Sequence, residues 1–431
     1  MQKPFEVKEF ETIVCNTDYK DSTDYRYLPK NKFDELSDFI REYDTATEGT
    51  DVLEFFKLGY RRNLGDTITV KNYVGLIQLK SGFQIQILPK VDLSDDEDNS
   101  ETKKVFLKML RSLKEFEGKV FSSASLKIEK MNLYELFINM YLQEVRQLVK
   151  RGIKYSYVPQ EDNLNYYKGK LLVGEHIKFN AAHQERFYVS FDEFHPNRSE
   201  NKLVKATLLK LQKLTSSEEN GKEIRQLLTA FELVEPSVNH EKEFAKVVID
   251  RNTKCYEMLM EWSKVFLMNK SFSTFAGSST AKALLFPMQT VFESYVAKCM
   301  KKAFAPNGWE VSSQDKGYHL FESPRKFALR PDIVMKKGER TIVLDTKWKK
   351  LTSNERQNYG ISQSDMYQMY AYSKKYNTSE ICLLYPLNAE MRDHTPIIFD
   401  SGDGTTVKVY FVDISNIEAS IDDLKNHYIY N

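Results

Sequence analysis

Residues 330–350 read RPDIVMKKGERTIVLDTKWKK, and they hold the residues best suited to chemistry. Pro331-Asp332 opens a β-run, Lys336-Lys337-Gly338-Glu339 supplies a turn, and the return run ends in Asp345-Thr346-Lys347. Side chains alternate along a strand, so Asp345 and Lys347 share a face. Cross-strand pairing can bring Asp332 beside Asp345. Two carboxylates and a lysine so placed suit metal-assisted phosphodiester hydrolysis. Mg²⁺ takes hard oxygen ligands and needs only one or two carboxylates. The metal polarises the phosphate and acidifies a bound water. Lys347 would orient or deprotonate that water, or balance charge on the phosphate. The competing reading is plain: Pro-Asp opens many turns, and Asp-x-Lys at a strand end is often a surface ion pair.

Two neighbouring segments favour the chemistry. Gln368 and Tyr372 lie one turn apart on an expected helix, Asp365–Tyr376, and so share a face. Either could reach a phosphate or support Lys347. Upstream, Glu293 sits in the apolar run LLFPMQTVFESYVAKCM. A carboxylate on a buried face needs a partner. It is a third acidic group at the metal or a member of an ion pair.

Other elements must position these groups. The alternation around Lys80-Ser81-Gly82 predicts a hairpin within residues 67–91. Helical spacing predicts helices at Lys32–Tyr43, Lys103–Phe116, Met131–Arg151, Asn201–Leu214, Gly221–Leu233, Glu241–Leu267 and Lys282–Phe304. The acidic run Asp92–Glu101 reads as a solvated loop leading into one of them. Gly152 ends the helix Met131–Arg151, and a second hairpin is expected to project from it, to about Phe179. Strands are expected at Phe187–Phe191, Lys326–Met335, Thr341–Trp348, Glu380–Tyr385 and Thr406–Val412, with a last helix near Ile417–Tyr428. The expected fold is α+β and multidomain. It has an amino-terminal β-rich domain at 1–120 and a mainly helical middle region with a projecting hairpin at 121–270. An α/β domain follows at 271–431.

Composition narrows the function. The chain has 431 residues, 41% of them hydrophobic and 13% aromatic, which excludes a wholly disordered chain. No run of eighteen apolar residues suggests a membrane span. The charged start lacks the apolar core of a signal peptide, so a cytoplasmic protein is expected. The four cysteines form no CxxC pair, which argues against a zinc site or a disulfide framework. With 62 basic and 61 acidic residues, any nucleic-acid surface must be local. Lys349, Lys350 and Arg356 after the catalytic run, with Lys301 and Lys302 after Glu293, are the candidate phosphate contacts.

The order Glu293, Pro331-Asp332, Asp345-Thr346-Lys347, Gln368-x-x-x-Tyr372 resembles the PD-(D/E)xK nuclease superfamily. More specifically it resembles the McrC family, endonuclease subunits of McrBC 5-methylcytosine restriction systems. Asn72–Leu79 with Ile87–Lys90, Val149–Gly152 through Gly169–Leu171, Asp192–Phe194 and Glu200–Lys205 are also similar to that family. The likeness covers most of residues 60–390. It implies a restriction-endonuclease-like carboxy-terminal domain in which Asp332, Asp345 and Lys347 are catalytic and the two aspartates hold Mg²⁺. It makes Gln368 and Glu293 supporting residues and Tyr372 a DNA contact. It implies double-stranded DNA as substrate and a McrB-like AAA+ GTPase hexamer as partner. Arg151, at the tip of the helix, is then a candidate partner contact; a surface arginine is the alternative. GTP would belong to the partner. A P-loop needs GxxxxGK[ST], whereas Gly169-Lys170 follows Leu164 and precedes Leu171, and Gly221-Lys222 precedes Glu223. A non-catalytic adaptor that activates the AAA+ ring, and an autonomous repair nuclease, are the alternative functions.

Overall fold

Five consecutive residues of the strand Arg340–Thr346 are buried, Ile342 to Thr346. A run buried on both faces needs cover on both, and the surrounding elements supply it. The computed structural model describes residues 4–45, 55–79, 81–91, 99–110, 112–113, 133–268, 282–392, 394 and 397–429. Contacts divide the chain into two units, one of Met131–Leu284 and one combining Pro4–Lys130 with Leu285–Asn431. The expected boundaries near 120 and 270 fall outside the described residues.

In the second unit, the strand Arg340–Thr346 lies inside a six-stranded mixed sheet. Its order is Glu310–Ser313, Ile333–Lys337, Arg340–Thr346, Glu380–Pro386, Thr406–Val412, Ile397–Asp400. The hairpin turns at Gly338, and its register pairs Ile333 with Leu344. The strands at 340, 380 and 406 run parallel. Parallel neighbours require a crossover, and the helix Gln363–Tyr376 makes the first. Its Met369, Tyr372 and Tyr376 pack with Val334, Val343, Ile381 and Leu383. By alternation, Asp345 and Lys347 point to the side of this helix. The helices Met288–Phe304 and Ile417–Ile429 pack together and also against the sheet.

The segment before residue 130 adds two four-stranded sheets. One orders Phe5–Lys8, Gln84–Leu88, Tyr73–Gln78 and Lys282–Pro287; the expected hairpin is its Tyr73–Gln78/Gln84–Leu88 pair. The other orders Tyr25–Tyr27, Thr12–Val14, Gly65–Val70 and Phe56–Arg61. Helices Lys30–Thr45 and Ser100–Leu110 accompany them. Most of the acidic run, 92–98, lies outside the described residues. Just past Phe5–Lys8, Glu9 is wholly buried, and both its oxygens accept from Trp348 Nε1, at 3.2 and 3.0 Å. Lys90 N donates to it as well, at 3.2 Å. Burial pushes its pKa up to about 8 against these hydrogen bonds.

The first unit is mainly helical. Leu133–Arg151 buries Phe137, Tyr141, Val145 and Leu148 on one stripe. Buried Glu135 accepts from Thr215 Oγ1, from the backbone and hydroxyl of Ser216, and from Asn220 Nδ2, joining this helix to the turn between Ser199–Leu214 and Glu218–Thr229. Four expectations are corrected; one lies further along, where the expected strand Lys326–Met335 is two, Arg325–Ala328 and Ile333–Lys337, in different sheets. The second hairpin is wider than expected: Ser156–Leu164 pairs with Phe187–His195. Between them lie the short strand Lys170–Leu171 and the helix Val173–Asn180. The expected helix Glu241–Leu267 is two, His240–Lys246 and Glu257–Met268. The β-branched run Val247-Val248-Ile249 disfavours a helix, and Asp250 turns the chain by accepting from the N–H groups of Asn252 and Thr253. The expected helix Lys282–Phe304 begins only at Met288, after the strand ending at Pro287. Proline there lacks the donor a helix interior needs.

Two measurements test this account. Gly169 has φ +73°, and a Cβ there would stand 2.3 Å from Ser190 O. Gly169→Ala is therefore expected to cost more than about 1 kcal/mol in denaturant unfolding; an unchanged midpoint would refute the close approach. For Glu9, the folded pKa of about 8 lies above the ordinary 4.5. Its contribution to stability is full below pH 4.5 and is lost as pH rises through about 8. Glu9→Gln should flatten the decline in unfolding free energy between pH 5 and pH 8.5. A variant with the wild-type slope would show that Glu9 does not titrate in that window.

Candidate active site

The hairpin register places Asp332 one step beyond the Ile333–Leu344 pair, opposite Asp345. Lys347 continues the parallel ladder, its N–H donating to Leu384 O at 2.9 Å. Its Nζ lies 2.6 Å from Asp345 Oδ2 and 3.7 Å from Asp365 Oδ1. It also donates to Gln368 Oε1 at 3.1 Å, while Gln368 Nε2 donates to Tyr372 OH at 2.7 Å. Asp332 Oδ2 accepts from the N–H and Oγ1 of Thr346, at 2.7 and 2.6 Å, which leaves its Oδ1 for another partner. Glu293, on the helix Met288–Phe304, accepts from Gln314 Nε2 at 2.9 Å. Gln314 N in turn donates to Asp332 O at 2.9 Å.

These groups hold an excess of negative charge in a dry place. Burial, and then the charge of Asp332, pushes Asp345 up to about 7. Burial raises Asp332 too, against the Thr346 hydrogen bonds. Burial followed by Asp332 brings Glu293 to about 7. Burial alone would lower Lys347, but the carboxylates of Asp345, Asp365 and Asp332 outweigh it and raise its pKa. The ammonium therefore stays charged.

Does this corner suit a divalent cation? Asp345 Oδ2 is sealed from solvent and meets the Lys347 ammonium at 2.6 Å. A carboxylate oxygen with one cationic neighbour, beside Asp332, whose Oδ2 alone is taken up by Thr346, fits a hard cation. Among the described residues no three His, Cys, Asp or Glu side chains converge as a self-sufficient metal cage. Two aspartates with waters and a phosphate match what Mg²⁺ uses at substrate sites.

The structure thus brings Asp332, Asp345, Lys347 and Gln368 together, with Glu293 within electrostatic reach. Tyr372 differs from expectation: it is 1% exposed and supports Gln368 from behind, so it does not face DNA. Lys349 and Lys350 line a cavity of about 280 Å³ with Trp348, Lys90 and Leu387. Arg356 is exposed on the 3-10 turn Glu355–Gly360. Lys301 and Lys302 are exposed in the last turn of their helix. Arg151 is exposed at the end of Leu133–Arg151, before Gly152 at φ +85°.

Sequence reasoning missed Asp365, Thr346, Gln314 and Gln289. Gln289 Nε2 donates to Thr346 O at 2.5 Å, and Trp348 N donates to Gln289 Oε1 at 2.7 Å. One amide thus grips the main chain on both sides of Lys347. Its helical offset of four from Glu293, and the offset of three between Asp365 and Gln368, were the available signals.

Known proteins bear on this arrangement. The family described as McrBC 5-methylcytosine restriction system component matches residues 68–386. A solved half-complex from the tetradecameric assembly of Thermococcus gammatolerans McrB AAA+ hexamers with bound McrC contains a chain similar to this one. The TM-score is 0.70 at 19% identity, covering 98% of this chain and 100% of that one. A chain of the Thermococcus gammatolerans McrBC complex is similar over 68% of this chain and 86% of its own, at 20% identity and TM-score 0.49. Curated proteins yield no match. The likeness to the half-complex chain is one of fold, a mixed α+β arrangement of several sheets and helices. The family match spans residues from both units and all of Glu293, Asp332, Asp345, Lys347 and Gln368, and the chain belongs to the family of McrBC 5-methylcytosine restriction system components.

Proposed function

We propose that this chain is the Mg²⁺-dependent DNA endonuclease subunit of a McrBC-like restriction complex, with a carboxy-terminal domain of the PD-(D/E)xK type. The observation that carries this reading is the shared corner of Asp332, Asp345 and Lys347 at the end of a buried strand. In this reading residues 271–431 are the nuclease domain, 1–120 the amino-terminal β-rich domain and 121–270 the partner-binding middle region. A AAA+ GTPase hexamer binds and hydrolyses GTP, this chain stimulates it, and target choice belongs to that partner. Arg151 is a candidate contact with it.

Asp332 Oδ1 and Asp345 Oδ2 would hold the cation, which supplies Lewis-acid polarisation of the phosphate and a more acidic water. Lys347, kept charged by its three aspartates, orients the attacking water and offsets charge on the phosphate oxygens. Gln368 and Asp365 fix where the ammonium points. Glu293, with a pKa of about 7, stands ready to exchange a proton near neutral pH. Gln289 touches no substrate; it is a positioning residue that sets the backbone around Lys347. Lys349, Lys350 and Arg356 would contact phosphates and confer no sequence choice.

The test is cleavage of methylated and unmodified plasmid by the chain with its AAA+ partner, GTP and Mg²⁺. Asp345→Ala and Lys347→Ala should each slow cutting by at least about 100-fold, and EDTA should abolish it. Undiminished cutting by both variants would sink the site assignment. No cutting by wild type, with GTP hydrolysis still stimulated, would favour the adaptor reading. Gln289→Ala should lower kcat roughly tenfold to a hundredfold by misplacing Lys347, with KM little changed. A raised KM at unchanged kcat would instead make Gln289 a binding residue.

A further inference from the structure

Between Gln314 and Asp332 the chain leaves the six-stranded sheet and makes a separate two-stranded ribbon, His319–Glu322 with Arg325–Ala328. Both feet are active-site residues. Gln314 holds Glu293 at one foot, Asp332 begins at the other, and Gln314 N bonds Asp332 O between them. The base is rigid: Tyr318 packs on Tyr376 with ring centroids 4.5 Å apart, and Leu329 N donates to Tyr318 O. Beyond that base nearly every residue is exposed.

The outer part of the ribbon carries an unusual pairing of residue types. Phe321 and Phe327 are 55% and 71% exposed, their rings 5.9 Å apart and edge-on. Phe327 holds φ +59°, a left-handed conformation that costs a bulky residue energy and that the fold has retained. Residues 315–330 contain Lys316, Arg325, Lys326 and Arg330 against Asp315 and Glu322. Asp315 is engaged by Tyr376 OH, and Glu322 lies 4.0 Å from Lys375. Among the described residues Lys316, Lys326 and Arg330 have no ion-pair partner.

We infer that this ribbon enters a groove of duplex DNA beside the scissile phosphate, its aromatic pair against the bases or sugars and its basic residues on the flanking phosphates. The inference rests on the nuclease reading for the position of the cut, and it adds a binding element that the catalytic corner does not contain. A two-stranded ribbon fits the major groove, which is about 12 Å wide. The occupant is an anion, because the unpaired charge on the ribbon is positive. It is long and regular, because the charges and rings are spread along the ribbon instead of converging on a pocket. Phe327 is five residues from Asp332, at most about 17 Å of extended chain. That is roughly half a turn of duplex, so the ribbon should contact DNA within about five base pairs of the cut.

The experiment uses the full chain carrying Asp345→Asn, without Mg²⁺, and reads binding to a 30-base-pair duplex across a salt series. Phe327→Gly is the key variant, because glycine suits φ +59° and the change removes the ring without straining the backbone. With Phe321→Ala added, affinity should fall about tenfold or more. Lys316→Ala with Lys326→Ala should reduce the salt slope by roughly one unit per lysine. In a further reaction that adds the AAA+ partner and GTP, a photo-crosslinker at Phe321 should label DNA within about five base pairs of the site that the wild type cuts. Unchanged affinity and salt slope in all variants would overturn the inference. So would loss of self-association in sedimentation at unchanged DNA affinity, which would assign the ribbon to a second copy of the chain. Because binding is read in an inactive protein, failure of the nuclease reading would appear separately, as a wild type that binds through the ribbon and does not cut.

Discussion

Everything in the corner of Asp332, Asp345 and Lys347 depends on one imbalance: among the described residues, several carboxylates share a desolvated space with one ammonium. Removing charge from water is costly, and a like charge nearby adds to the cost. Asp345 cannot move away, because it sits on a strand paired on both sides. Asp332 is tied to Thr346 by two hydrogen bonds. Among the described residues Lys347 is the cation drawn inward to Asp345, and Gln289, Gln368 and Asp365 then fix its position. The sheet, the crossover helix and the helix bearing Glu293 together hold charges that would separate in water. A divalent cation relieves that repulsion, and the repulsion is what such a cation would bind to.

The first unit solves a related problem differently. Buried Glu135 is charged-group material on an apolar helix stripe, yet it is surrounded by donors from Thr215, Ser216 and Asn220. A carboxylate satisfied by so many hydrogen bonds serves as a joint between helices. Asp345 differs: its buried Oδ2 meets the Lys347 ammonium and no such ring of neutral donors.

How much of this was legible in the sequence follows the range of the interactions. Alternation in TIVLDTK and the turn at Gly338 fixed the catalytic hairpin, and the spacing of Gln368 and Tyr372 placed them on one helix face. Local patterns could not show Tyr372 turned inward, because its burial depends on strands at 343 and 381 that are distant in sequence. Gln289 was illegible for the same reason: its partners are main-chain atoms nearly sixty residues away, and main-chain groups carry no side-chain signal. Lys282–Pro287 was read as helix because an apolar run has no period of its own; its state was set by pairing with Tyr73–Gln78, far upstream. The break after Lys246 was readable in principle from three β-branched residues in a row, and amphipathic spacing on either side hid it.

The hydrogen bonds between Glu9 and Trp348 close a loop of 339 residues. During synthesis Glu9 leaves the ribosome long before Trp348 exists, and contacts this distant form late. Trp348 directly follows Lys347, so the same late event that buries Glu9 also completes the backbone setting of the lysine. A chain that stops before residue 348 would therefore lack the donor that both oxygens of buried Glu9 share. Disturbing either partner therefore reaches both the first strand and the backbone beside Lys347.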